Sequence, residues 1–220
     1  MSDHATFPFD GRRCAVLTID LHRGHLDPDI ATMPLPAEKA VRVVEHNIRL
    51  LEGARSRGIP VVHVVTRYRD VGEVFSNPFW ASIADTGATR GNAGVHQIEP
   101  TRGTELMPGL LDPDRDVVVD TKKRYDCFLG TDLEFVLRAH DIDTLLITGV
   151  NTNSCVLTTT IVASTRDYAC VVVSDGVDSM DGPEFHDRGL ALIERAFGWV
   201  MTTDEVLEAI VAVPSTTPAG

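Results

Sequence analysis

Short, almost unbroken runs of Val, Leu and Ile recur along this chain, and stretches of helical spacing separate them. Cys14-Ala-Val-Leu-Thr-Ile19, Pro60-Val-Val-His-Val-Val65 and Asp116-Val-Val-Val-Asp120 are the first three. Thr144-Leu-Leu-Ile-Thr-Gly-Val150, Ala169-Cys-Val-Val-Val-Ser174 and a short run from Gly198 to Met201 follow. Continuous apolar runs, rather than in-out alternation, belong to strands covered on both faces. Between them, Val41, Val44, Ile48 and Leu51 repeat at helical intervals, so Pro36 to Arg57 reads as an amphipathic helix ended by Gly58. Further helices are expected near 132–140, 153–166, 183–197 and 203–211. Strand-helix alternation implies parallel strands joined by right-handed crossovers. The expected fold is therefore a three-layer α/β/α, Rossmann-like domain with a six-stranded, mostly parallel sheet.

The 220 residues suit one large domain or two small ones by length alone. No linker or internal repeat divides them, so 1–213 reads as a single domain. Within it, Arg67 to Arg115 is long, irregular and rich in Gly, Asn, Arg and aromatic residues, as active-site loops often are. The tail at 214–220 is expected to fray.

With 32 acidic against 20 basic residues the net charge is −12, and no block of Lys and Arg offsets it. That argues against nucleic acid or an anionic membrane as partner and leaves a small molecule. No apolar run approaches the roughly 18 residues of a membrane span. The start, Met1-Ser-Asp-His-Ala5, lacks the basic and apolar regions of a signal peptide. Cys14, Cys127, Cys155 and Cys170 are scattered, without a CxxC pair. The expectation is a cytoplasmic protein with reduced thiols, each cysteine serving packing or chemistry.

Ligands of open parallel sheets bind beyond the carboxyl ends of the strands. Asp20 follows the first strand, Lys122 or Lys123 the third, and Cys155 the fourth. A free thiol with a pKa near ~8.5 needs activation, and a lysine cation and a helix N-terminus both favour its thiolate. Asp20 is placed to accept the thiol proton and later to activate water. Each residue alone is more commonly a packing, capping or solvated one; their coincidence at three strand ends is what suggests a nucleophilic site.

Three segments carry a family resemblance. Lys122-Lys-Arg-Tyr-Asp-Cys-Phe-Leu-Gly-Thr-Asp-Leu133 is similar to the Lys-x-Arg-Tyr-Ser-Ala-Phe-x-Gly-Thr-x-Leu signature of isochorismatase-like cysteine hydrolases. Ile147-Thr-Gly-Val-Asn-Thr-Asn-Ser-Cys-Val156 resembles that family's Gly-Val-x-Thr-x-x-Cys-Val turn, and Leu17-Thr-Ile-Asp-Leu21 its Asp-Met-Gln strand end. The resemblance implies an isochorismatase-like fold and a catalytic set of Asp20, Lys122 and Cys155, with Lys123 left as a surface residue. It implies a cis peptide between Val150 and Asn151, with the backbone N–H groups of Asn151 and Cys155 forming an oxyanion hole. It also implies a homo-oligomer, dimer or tetramer, and a thioester route for hydrolysing a small amide or carbamoyl compound.

Departures from the family pattern fall at His22, Arg23, Asp126 and Cys127. His22, Tyr125 and Asp126, with Arg67, Phe79, Trp80, Arg90 and Asn92 from the long segment, are the expected substrate-binding residues. The arginines would suit a substrate carboxylate. Nicotinamidases in the family carry an Asp-x-His metal motif after the second strand, where this chain has Thr66-Arg-Tyr-Arg-Asp70. His63 and His96 are isolated in sequence, so neither a metal nor another cofactor is expected. Two alternatives remain beside the amidohydrolase: a vinyl-ether hydrolase of the isochorismatase type, which lacks the cysteine, and a non-catalytic relative that binds a small ligand.

Overall fold

The computed structural model describes residues 7–210, so the tail at 214–220 and Val211 lie outside the described residues. Six strands form one sheet: β1 (Cys14–Ile19), β2 (Val61–Thr66), β3 (Val117–Lys122), β4 (Thr144–Val150), β5 (Ala169–Asp178) and β6 (Trp199–Met201). Their order is β3-β2-β1-β4-β5-β6, and every neighbouring pair is parallel. The expected α/β class and parallel sheet are thus observed. The order reverses at β1, so β1 and β4 flank the switch point where open parallel sheets open a crevice.

Alternate strand residues supply two cores. Val16, Val61, Leu146, Val171 and Val173 point to one face, where α2 (Ala37–Ser56) brings Val43, Leu50, Leu51 and Ala54 and a C-terminal helix (Thr203–Ala209) brings Val206. Ala15, Leu17, Ile19, Val64, Leu145 and Ile147 point to the other, against a helix at Leu133–Ala139, another at Leu157–Ser164 and a third at Pro183–Ala196. Each large apolar side chain removed from water in this way contributes about 1.5–3 kcal/mol. Among the described residues, no helix is long and apolar enough to cross a membrane.

In chain order the helices are α1 (Arg23–Leu26), α2, α3 (Val71–Phe75), α4 (Pro78–Ile83), α5 (Leu133–Ala139), α6 (Leu157–Ser164), α7 (Pro183–Ala196) and α8 (Thr203–Ala209). Three differences from the sequence-based expectations bear on the site. β3 runs on to Lys122, so this lysine ends the strand instead of following it. β5 continues past Ser174 to Asp178. The helix after β4 begins with a wide turn of π type at Thr152–Val156 before α6 proper.

The segment from 67 to 115 is more ordered than irregular composition implies. Asp70 caps α3 through Gly72 N and Glu73 N, and Asn77 caps α4 through Phe79 N and Trp80 N, with Pro78 in the first turn. Tyr68, Val74, Trp80 and Ala93 pack into a small third core over the sheet's carboxyl end. Helices of five or six residues are too short to show a period in sequence.

Close approach of β1 and β4 fixes one residue outright. Gly149 has φ of +112°, and a Cβ there would lie 2.0 Å from the Ile19 carbonyl oxygen. Gly149→Ala is expected to destabilise the fold by more than about 2 kcal/mol, through both clash and backbone conformation. Chemical denaturation measures this, and a midpoint equal to wild type would contradict the packing described.

Candidate active site

Asp20 follows β1 in a left-handed conformation, φ 53°, that few non-glycine residues adopt and Asp tolerates. Its amide donates to the Val64 carbonyl at 2.9 Å. Its carboxylate Oδ1 accepts from the Thr66 amide at 2.9 Å and the Thr66 hydroxyl at 2.8 Å. These bonds turn the carboxylate towards β3, where the Lys122 ammonium donates to Asp20 Oδ2 at 2.5 Å and to Thr66 Oγ1 at 2.6 Å. Lys122 Nζ also lies 3.3 Å from Cys155 Sγ. All three groups are buried. The residues expected from three strand ends therefore form one contiguous cluster, and Lys122 rather than Lys123 belongs to it. Lys123 points the other way, to the Arg67 carbonyl and, at 3.2 Å, to Glu73.

The charges are not those of a resting thiolate. Burial alone would favour neutral forms, but the Lys122 charge and hydrogen bond, with His22 nearby, hold the Asp20 carboxyl well below the usual carboxylate range. For Lys122, burial is likewise outweighed, by Asp20 and then Cys155, so the ammonium is held far above its ordinary range. Burial pushes the Cys155 thiol up to about 12, Lys122 opposes this and Asp20 adds to it. Lys122 favours the thiolate as its charge predicts, but burial and the Asp20 carboxylate outweigh it. The site at rest is a neutral thiol beside a carboxylate-ammonium pair.

These groups line a cavity with Thr66, Tyr68, Trp80, His25, His96, Arg90 and Tyr125. The cavity, about 50 Å³, has room for a small molecule. Asn151 reaches it as well; the Val150–Asn151 peptide is cis, and Asn151 Oδ1 accepts from the Met180 amide at 2.8 Å. The Asn151 N–H has no acceptor among the described residues outside regular elements.

Of the expected substrate-binding residues, Trp80, Arg90 and Tyr125 line this cavity. Trp80 Nε1 donates to Tyr125 Oη at 3.3 Å. Arg90 pairs with both carboxylate oxygens of Asp181 at 2.6 and 2.7 Å and lies over the Tyr125 ring. Its charge is matched within the protein, not left for a substrate carboxylate. The other five do not line the cavity. Arg67 pairs with Asp120 at 2.9 Å beside a separate groove. Phe79 is exposed and lines an outer groove that shares Arg90, Tyr125 and Ser154 with the cavity. Asn92 donates to the Thr32 carbonyl, and Asp126 accepts from the Phe128 amide in its own turn. His22 is buried behind the cavity against Gln97. Local sequence places these residues in the right segments but does not reveal which way each side chain points.

Thr66, Tyr68, His25, Met33 and Arg124 are cavity residues that the sequence reading passed over. Thr66 was detectable as the polar end of an apolar strand. His63 stays apart in β2, but His96, isolated in sequence, is buried together with His22 and His25, with one ring nitrogen of each within 4.8 Å of the others. Folding the 67–115 segment across α1 brings His96 to a pair that is three residues apart.

Comparison with known proteins agrees with this geometry. The isochorismatase domain model matches residues 14–205. The chain belongs to the isochorismatase family. The ureidoacrylate amidohydrolase RutB of Methylobacterium radiotolerans is 31% identical, over 81% of this chain and 70% of that protein. A cysteine hydrolase from Pseudomonas syringae pv. phaseolicola superimposes with TM-score 0.78 at 28% identity, covering 95% of this chain and 98% of the other. The N-carbamoylsarcosine amidase of Thermoplasma acidophilum gives 0.68 at 26% identity, covering 87% and 97%. Within the isochorismatase family, cysteine hydrolases of amides are thus the branch that this chain resembles.

Removing the Asp20 charge leaves Lys122 unopposed beside Cys155, so the thiol pKa should fall in Asp20→Asn. Alkylation of Cys155 by iodoacetamide at pH 7.5 is expected to be slow in wild type and at least about 10-fold faster in Asp20→Asn. Peptide mass mapping reads the rate at this cysteine separately from the other three. An unchanged or slower rate would contradict the charge balance described.

Proposed function

We propose that this protein is a cysteine-dependent hydrolase of a small linear amide or carbamoyl compound, with Cys155 as nucleophile, Asp20 as proton acceptor and Lys122 as the shared cation. One observation carries the reading: the Lys122 ammonium touches both the Asp20 carboxylate and the Cys155 sulfur inside a small cavity. The amidohydrolase and amidase named among its relatives favour a carbon-nitrogen bond as the target.

Transfer of the thiol proton to Asp20 is unfavourable at rest, because the thiol is a weak acid here and the carboxylate a weak base. Attack on a carbonyl carbon changes this. As the S–C bond forms, negative charge moves from sulfur to the carbonyl oxygen, and the proton can pass to Asp20. The Asn151 N–H, with that of Cys155, would donate to the developing oxyanion, each donor being worth roughly 2.7–4 kcal/mol of barrier. Asp20 then returns its proton to the departing ammonia or amine, leaving a Cys155 thioester. A water deprotonated by Asp20 releases the acid and restores the thiol. Lys122 stays charged throughout and pairs with whichever of Asp20 or Cys155 is anionic.

The balanced Arg90–Asp181 pair favours a neutral amide end in the cavity. A carboxylate elsewhere on the substrate would need another partner. The reading extends to a homo-oligomer in the cytoplasm. It is supported by four free, buried cysteines and by exposed apolar side chains such as Phe135 and Phe185. Light scattering on the purified protein tests the assembly; a monomer would remove that part.

Ammonia release from a panel of nicotinamide, ureas, N-carbamoyl amino acids and maleamate tests the activity. Wild type should turn over at least one carbamoyl or linear amide compound. Cys155→Ala should lose at least about 10³-fold in kcat/KM with its circular dichroism unchanged. A near-normal rate in folded Cys155→Ala would end this mechanism.

A further inference from the structure

We propose that His22, His25 and His96 form a binding site for one divalent transition-metal ion, of the borderline class to which zinc belongs, on the wall of the Cys155 cavity. The three rings are buried, with centroids 4.6 Å apart for His25–His96, 4.9 Å for His22–His25 and 5.7 Å for His22–His96. One nitrogen of each lies within 4.8 Å of the others. Tetrahedral zinc with Zn–N bonds of about 2.0–2.1 Å holds its nitrogens about 3.3 Å apart, so the His22 ring, now stacked on His25 with 15° between their planes, would have to turn for both lone pairs to meet one ion.

The outer contacts suit a ligand role. His25 Nδ1 lies 2.7 Å from the Met33 carbonyl oxygen, which can only accept, so the proton sits on Nδ1 and the lone pair on Nε2. His96 Nδ1 is held at 2.7 Å by the Thr32 hydroxyl, one residue earlier on the same loop. Neither Nε2 has a hydrogen-bond partner among the described residues, and both rings line the cavity. Metal-bound histidines are fixed in this way, by an oxygen at the far ring nitrogen.

The third outer contact is Gln97. Its amide nitrogen lies 2.5 Å from His22 Nδ1 and 2.9 Å from Nε2, while its Oε1 is buried without a partner. Exchanging the amide oxygen and nitrogen gives His22 an acceptor for its N–H and leaves the other ring nitrogen free. The backbone is shaped around this side chain: a Cβ at Gly24 would lie 2.2 Å from Gln97 Nε2, and one at Gly103 would lie 2.9 Å from Oε1.

Electrostatics permit a cation here. Lys122 is paired with Asp20 and Arg90 with Asp181, and Asp20 Oδ1 lies 3.6 Å from His22 Nε2. Neutral imidazoles suit zinc, iron, nickel and copper rather than magnesium or calcium. The donors come from the segment after β1 and from the 67–115 segment. Positions 66–70, where the Asp-x-His motif would fall, contribute none. Coordination positions left open would face the cavity, within reach of water or a small ligand.

The site stands apart from the hydrolytic reading, and its test does too. Chelator-stripped protein is titrated with Zn²⁺ by calorimetry and with Co²⁺ by visible absorption, and bound metal is counted by mass spectrometry. The expected result is one equivalent per chain, a Co²⁺ d–d spectrum of low coordination number, and both retained in Cys155→Ala. His25→Ala and His96→Ala should weaken binding more than about 10-fold, and Gln97→Ala by about 10- to 100-fold. No stoichiometric uptake by folded wild type would overturn the site. So would uptake that survives His25→Ala/His96→Ala, since that metal is held elsewhere.

Discussion

A lysine ammonium as buried as Lys122 persists only beside an anion, and Asp20 supplies it at 2.5 Å. Removing one partner from such a pair costs about 3–5 kcal/mol, because the other is left charged and out of water. Much of the sheet's carboxyl end is arranged around this contact. β1 stops at Ile19 so that Asp20 can turn with positive φ, β2 ends in a threonine that bonds both partners, and β3 runs on far enough to present Lys122. Cys155 enters beside the pair from the wide turn after β4. Burial keeps the thiol neutral at rest, and in the proposed mechanism the pair gives its proton somewhere to go once a carbonyl carbon shares the sulfur's charge.

The sheet was legible in sequence because buried parallel strands leave unbroken Val/Leu/Ile runs, and α2 because Val44, Ile48 and Leu51 keep a helical period. Asp20 and Cys155 were legible as candidate site residues past strand ends. The choice between Lys122 and Lys123 was not; in sequence it came from family resemblance, and in the fold from the end of β3, where Lys122 turns inward to Cys155 and Lys123 towards Glu73. The cavity's far wall was hidden for a different reason. Its residues come from α3, α4 and the turns that follow, and pieces that short hold their shape through caps and a small shared core.

The histidines illustrate what a linear reading loses. His22 and His25 look like loop residues and His96 stands far away, but the 67–115 segment folds over α1 and encloses all three. Arg67 illustrates the converse. It lies in the segment that covers the cavity, yet β3 offers it Asp120 on the outer side, and the ion pair turns it away.

Mass spectrometry of acid-quenched protein during turnover tests the central claim most directly. With an ester or amide analogue that deacylates slowly, the account predicts an acyl group on the peptide containing Cys155 and on no other cysteine, formed as fast as the first turnover. Steady hydrolysis with no adduct on Cys155, or with an adduct on another residue, would contradict it.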